Sequence, residues 1–376
     1  MAPEPAERRK GASIAFRRVL GGHKVAIVFC ALLTSPGAFA YSSVRDAGSA
    51  SGPITITQGG TYSGNWTSTS STPAVRISTS QPVTITNSTV TNLAGGHLID
   101  VPAATQANVT IDHVTGHGGN GRFVNIEGFK SITIRNCTLD KTGGIYLVSP
   151  VAAASVIVTR NRARNIQKGS GLRQFLQFNN VNTASPDVSW NEVINVYGQS
   201  EVEDNISVYK SSHVTVHDNY IQGAYPRNHT DSYSGSGIML GDAGGSFNRV
   251  HDNQIVDTTN VGIGIVGGQG NRVFNNRIVS DGKLDDGTPL SAANVGIAVW
   301  NGYNDPSWAN NDAYANTVGW MHSGNPAFRN DLWVPGCAGG CTSNIKLSDP
   351  LTRSTEQNEF NLWLAKLAAN GVQIGA

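Results

Sequence analysis

Residues 201–223 read EVEDNISVYKSSHVTVHDNYIQG, and residues 235–242 read GSGIMLGD. Each holds the same short pattern: two apolar residues with one between them, Ile206/Val208 and Ile238/Leu240, followed closely by a charged residue, Lys210 or Asp242. Between them lies Ala224–Gly237, the longest run of loop-type residues in the middle of the chain. Period-two alternation turns one face of such a strand inward. A strand this short cannot bury that face alone, whereas stacked copies can. If the copies stack, Asp204, Lys210 and Asp242 meet on one outer face.

Copies of this kind recur across the chain. An apolar-x-apolar segment closed by Asn appears as Val83-Thr-Ile85-Thr-Asn87 and Ile132-Thr-Ile134-Arg-Asn136. It returns at Asn161, Asn191, Asn219, Asn253 and Asn276, and more weakly at Asn316. The steps from Asn136 to Asn316 are 25, 30, 28, 34, 23 and 40 residues. A basal coil in the low twenties with variable insertions is the mark of a β-solenoid. Asn tolerates left-handed backbone and bonds local backbone in turns. Asn136, Asn161, Asn191, Asn219, Asn253 and Asn276 are therefore assigned to an internal ladder rather than to chemistry. A second strand follows most copies, often after Gly, as at Gly144, Gly262 and Gly296.

Aligning the second strands on their inward pairs gives Val124/Ile126, Ile145/Leu147, Leu176/Phe178, Ile206/Val208, Ile238/Leu240, Ile263/Ile265 and Ile297/Val299. The outward column then reads Asn125, Tyr146, Gln177, Ser207, Met239, Gly264 and Ala298. Tyr209 and Trp300 stand in the next outward column, Asn180, Lys210 and Asp242 one place further on, and Arg122 and Asp204 two places before the strand. Tyr146, Tyr209 and Trp300 could stack on sugar faces, with Arg122, Gln177 and Asn180 as polar contacts. The bland alternative is that these aromatics only cover strands.

The start of the chain reads differently. Arg8, Arg9, Lys10, Arg17, Arg18 and Lys24 precede the apolar run Val25–Leu33, and Ala38-Phe39-Ala40 follows. Residues 1–40 are thus expected to be a secretory signal peptide, with Arg17-Arg18 as a weaker twin-arginine reading. The protein is then secreted or periplasmic. Residues 1–40 carry six basic and two acidic side chains of the 27 and 26 present, so the remainder has a net charge of −3. No basic stripe points to nucleic acid, no later run is long enough to cross a membrane, and a monomer is expected. Charged residues make up only 14% and glycine is abundant at 43 residues, which suits short strands and many turns. Cys137 suits a buried apolar slot, and Cys337 and Cys341 suit a short-loop disulfide.

Residues 41–325 form the expected solenoid domain, and 326–376 an extension. Ser354-Thr-Glu-Gln357 has the form of a capping box. Phe360, Leu362, Trp363, Leu364 and Leu367 suit one amphipathic helix ending at Asn370-Gly371. Such a helix would pack on the flank or end of the solenoid, or serve a partner.

These repeats resemble the right-handed parallel β-helix superfamily typified by pectate lyases, over roughly residues 50–325. The resemblance implies an all-β, right-handed parallel β-helix acting on a polysaccharide. Ile206-Ser-Val-Tyr-Lys210-Ser-Ser is similar to the catalytic-lysine coil of the alginate lyase and chondroitinase B group. That likeness implies Lys210 as a base removing the C5 proton of a uronate, with Arg227 as the assisting arginine and a polysaccharide lyase as the first reading. Glu201, Glu203, Asp204 and Asp242 could hold Ca²⁺ to neutralise the uronate carboxylate. Glu203-Asp204 with Gly235-Ser-Gly237 resembles the polygalacturonase arrangement, with Ser236 in place of histidine. That implies the alternative, a glycoside hydrolase using Asp204 and Asp242. His229, in the Tyr225–Tyr233 loop, could serve as acid or base. A noncatalytic carbohydrate-binding or surface-structural solenoid is the third reading, and a plain ion pair between Lys210 and an aspartate the structural one.

Overall fold

The computed structural model describes residues 50–148, 154–167, 173–183, 185–231, 235–325 and 328–376. The expected leader, residues 1–40, lies outside the described residues. From Ile54 onward the chain winds as stacked coils of short strands, and every strand of its three ladders pairs in parallel with the coils above and below. Among the described residues the front sheet has eleven strands, from Ile54–Ile56 to Leu332–Trp333. A second ladder runs from Phe129–Arg135 to Asp312–Tyr314, and a third from Thr138–Asp140 to Ile345–Lys346. The two merge at the N-terminal end in the long strands Pro82–Asn92 and Ala107–Gly118.

The inward pairs expected from alternation are register partners in all seven coils: Val124 with Ile145, Leu176, Ile206, Ile238, Ile263 and Ile297 in turn. These side chains are fully buried in one continuous core. The coils continue past the expected boundary at 325, because Leu332–Trp333 and Ile345–Lys346 extend the front and third ladders.

The asparagine ladder forms inside the corner between the second and third ladders, with one correction. Asn136 is half-buried and donates to Asp112 at 2.7 Å. The slot beside it belongs to Cys137, whose N–H donates to Asn161 Oδ1 at 3.0 Å. From there the ladder runs through Asn161, Asn191, Asn219, Asn253, Asn276, Asn316 and Asn344. From Asn191 on, each amide oxygen accepts two bonds from the Asn below, one from the backbone and one from Nδ2, as Asn219 does from Asn191 at 2.9 Å each. The left-handed residue is the one before the ladder position: Asn136, Arg160, Trp190, Asp218, Asp252, Asn275, Ala315 and Ser343 all have φ between 54° and 58° or within a degree of it. A second ladder, Asn248–Asn271–Asn311, closes the corner after the front sheet and was not legible as a repeat. Burial pushes the Cys137 thiol up to about 12, and Cys337 and Cys341 form a disulfide.

The C-terminal helix, Arg353–Asn370, lies along the flank over the third ladder. Its cap is Thr352 with Thr355, not Ser354, and Gly371 ends it in the left-handed region. Its buried stripe is Glu356, Glu359, Trp363 and Leu367, while Leu362 and Leu364 face solvent. Trp363 packs on Tyr220 and Val256 and donates to Glu192 at 2.8 Å. Glu359 takes a two-pronged bond from Arg277 at 2.7 and 2.8 Å. The tail then runs back toward earlier coils, where Gly375 and Ala376 bond Arg160 and Thr138.

Asn219→Ala leaves buried groups unpaired on both neighbouring coils, and each such group costs about 1–3 kcal/mol. We expect a loss on the order of 3 kcal/mol by urea denaturation, against about 1 kcal/mol for Asn136→Ala outside the ladder.

Candidate active site

Asp204 opens the front strand Asp204–Tyr209, and Ser236 opens the next, Ser236–Asp242. The two residues are register partners. Asp204 is buried, and its Oδ1 accepts the Ser236 N–H at 3.1 Å. Burial, then the charge of Glu203, raises the Asp204 carboxyl to about 7, against the bonds from Ser236 and with a smaller push from Asp242. Glu203 is also raised, first by burial, although Gln174 donates to it at 2.7 Å.

The strand carrying Asp242 holds a bulge. Tyr209 pairs with Asp242, not with Gly241 as uniform counting expects. Gly241 makes this possible at φ 70°, where a Cβ would strike the Gly267 carbonyl at 2.1 Å. Asp242 thereby reaches a groove of about 440 Å³ whose walls include Glu203, Asp204, Ser236, Trp300 and Tyr303. The Tyr303 hydroxyl donates to Asp242. Burial, then that carboxylate, raises the Tyr303 phenol. Tyr303 sits on a braced turn: Asp305 N–H donates to Asn301 Oδ1 at 2.7 Å, and Gly268 N–H to Asp305 Oδ2 at 2.7 Å. Trp300 lines the same wall and lies 5.3 Å from Trp333, centroid to centroid.

The other expected residues fall elsewhere. Lys210 is exposed, in left-handed backbone one residue past its strand, with its ammonium 5.2 Å from the Tyr209 ring. Its N–H bonds the Asp242 carbonyl at 2.9 Å, but its side chain does not line the groove. Lys210 and Asp204 stand at opposite ends of one strand, about 20 Å apart along it. Among the described residues neither forms an ion pair with the other. Arg227 is exposed and pairs with Glu201 at 3.4 Å. His229 ties its loop to another, with its ring 3.3 Å from the Pro289 carbonyl and its N–H on Tyr197. Tyr146 takes a bond from Asn179 at 2.7 Å, Gln177 lies between Tyr146 and Ser207 in register, and Asn180 is exposed at φ 58°.

Of the acids expected to hold Ca²⁺, Glu203, Asp204 and Asp242 line the groove, while Glu201 lies outside it. Glu201 turns to Arg227, Asp204 is held by Ser236, and Asp242 by Tyr303. Among the described residues, no group of three or more Asp, Glu, His or Cys side chains could hold a metal ion. What the groove does hold is a set of carboxyl groups in unlike surroundings, the ordinary requirement for general acid–base work. Sequence reasoning missed Tyr303, which reaches Asp242 from 61 residues away. The turn-rich Asn301-Gly-Tyr-Asn304 was the available signal, since long loops beside a groove carry function.

Fold and groove together define a parallel β-helix with an acidic cleft on its front sheet. The fold is a right-handed parallel β-helix, and residues 54–205 match the family described as right handed beta helix region. That match ends inside the strand that Asp204 opens. Comparison with curated proteins gave no match, and neither did comparison with solved structures.

A methyl group at Gly235 would sit 1.4 Å from the Glu203 carbonyl oxygen. Gly235→Ala must therefore part the coils carrying Glu203 and Ser236, and a cost of at least about 2 kcal/mol is expected from overpacking. Gly52→Ala, where nothing lies within 4 Å, should leave the thermal midpoint unchanged.

Proposed function

We propose that the protein cleaves a polysaccharide by general acid–base hydrolysis. Asp204 protonates the leaving glycosidic oxygen, and Asp242 takes a proton from the attacking water, so that water adds across the broken C–O bond. The observation that carries this reading is the buried Asp204 carboxyl, raised to about 7, facing a groove that it shares with Asp242. A general acid must hold its proton near the working pH, and burial beside a second carboxylate achieves that. Trp300 supplies an aromatic wall for a sugar, and Tyr303 orients Asp242. β-Elimination needs a base in the groove, and the exposed Lys210 side chain lies outside it. The basic and apolar stretch ahead of residue 40 supports an exported protein, which the Cys337–Cys341 disulfide suits.

Reducing ends released without the ultraviolet absorbance of a C4–C5 double bond are the expected products. Absorbance that rises with cleavage would return the reading to a lyase, and polymer retention with neither product to a binding solenoid. Asp204→Asn and Asp242→Asn should each lower kcat on the order of 10²–10⁴-fold. In the parent, kcat/KM should fall as pH rises through about 7, where Asp204 loses its proton. The same raised carboxyl favours the folded state when protonated, so its stabilising effect is lost as pH rises through about 7. Asp204→Asn should accordingly stabilise the protein more at pH 8 than at pH 5, a readout independent of turnover.

A further inference from the structure

The last coil is lightly held. Its front strand, Leu332–Trp333, and its third-ladder strand, Ile345–Lys346, are two residues each, and among the described residues each pairs on one side only. Few ladder bonds and an exposed edge mark a segment that opens locally before the whole molecule does. Between the two strands, residues 334–341 form a loop closed by the Cys337–Cys341 disulfide. The sulfurs enclose Ala338, Gly339 and Gly340, with Gly339 at φ 105°. A closed loop this short removes little entropy from the unfolded chain, so the bond constrains its own neighbourhood more than the fold. Two adjacent glycines have no conformation of their own to keep once the sulfurs part. Cys337 and Cys341 are both half-buried, within reach of a small thiol.

That neighbourhood backs the groove. The Gly336 N–H donates to the Val299 carbonyl at 2.9 Å, one residue before Trp300. A Cβ on Gly336 would meet Trp308 at 2.6 Å and the Trp300 Cα at 3.1 Å, so the loop lies against both. The Gly336 carbonyl accepts the Trp308 Nε1–H at 3.1 Å. The Trp308 N–H in turn bonds the Asp305 carbonyl at 3.1 Å, inside the turn that brings Tyr303 to Asp242. Trp333 packs on Trp300 just ahead of the loop. At the loop's far end Cys341 Sγ accepts the Ala313 N–H at 3.2 Å, and the Gly340 N–H bonds Asp312 at 3.1 Å. We propose that the Cys337–Cys341 disulfide is a redox latch: its reduction frees the loop and slackens the Trp300 and Tyr303 wall, while the coils below stay folded. The thiolate of a dithiol attacks one sulfur, and its second thiol resolves the mixed disulfide. The dithiol leaves as its own disulfide, and Cys337 and Cys341 each gain one electron and one proton. A reducing cytosol holds the latch open, and an oxidising compartment shuts it. Its effect on a sugar rests on the hydrolytic reading; the loosening of the coil does not.

The test follows hydrogen exchange by mass spectrometry in the full-length protein, before and after dithiothreitol. Peptides spanning 332–346 and 300–308 should exchange at least about tenfold faster after reduction, and those holding Asn191, Asn219 and Asn253 should not change. Oxidised glutathione should restore the slow exchange. Cys337→Ser with Cys341→Ser should exchange like the reduced protein and ignore both reagents, since the other described cysteine, Cys137, is free and buried. Unchanged exchange over 332–346 or over 300–308 on reduction would overturn the latch. So would loss of protection throughout the ladder, because the disulfide would then hold the fold and not one coil. On polymer, reduction should raise the KM for reducing-end release about threefold or more, as a slackened aromatic wall implies, and reoxidation should reverse it. Turnover with an unmoved KM would overturn the latch as a control on the groove. If both peptides respond to reduction while no polymer yields reducing ends, the hydrolytic reading fails and the latch stands.

Discussion

Everything here depends on one corner. Each coil must turn sharply between its second and third strands, and it does so through a single left-handed residue. Outside glycine that conformation costs roughly 1–2 kcal/mol, and Arg160, Trp190 and Ala315 are poorly suited to it. The following Asn offsets the cost by bonding the same Asn one coil on through both its backbone N–H and its amide, out of reach of water. Because the ladder fixes the corner's height and direction, the front strands of successive coils come into register. Insertions then change loop length without moving the strands, so the Asn steps range from 23 to 40 residues.

That separation of stack from loops governs what the sequence could reveal. The seven inward pairs were legible because alternation and stacking act on the same residues. The Asn column was legible as structure, but Asn136 was misassigned: the pattern counts residues, whereas the ladder slot is one place later, where Cys137 fills it. The bulge at Gly241 was not legible, since one extra residue in a strand leaves no periodic trace, and it is what carries Asp242 into the groove. Nor was Lys210 readable as lying outside it. Charge density near a strand says nothing about which way the backbone turns, and Lys210 turns away in left-handed backbone. Tyr303 was missed for a related reason: it acts on Asp242 more than one coil from its own position, across a gap that only coordinates measure.

A perturbed carboxyl does not by itself mark a site, and this molecule contains the comparison. Asp257 is as buried as Asp204 and is likewise raised to about 7, first by burial. It accepts from Tyr225 at 2.7 Å and Ser280 at 3.2 Å, and lies among the groups that seat the C-terminal helix, near Glu356 and Arg353. Its acceptors are filled by neighbours and it lines no described groove. Asp204 has the same desolvation, but its carboxyl borders a groove with a second carboxyl opposite. Desolvation sets when a proton is held; access decides whether that proton can be given away. The coil stack provides both at Asp204, because one residue opens its strand at the sheet's leading edge, where the core ends and the groove begins.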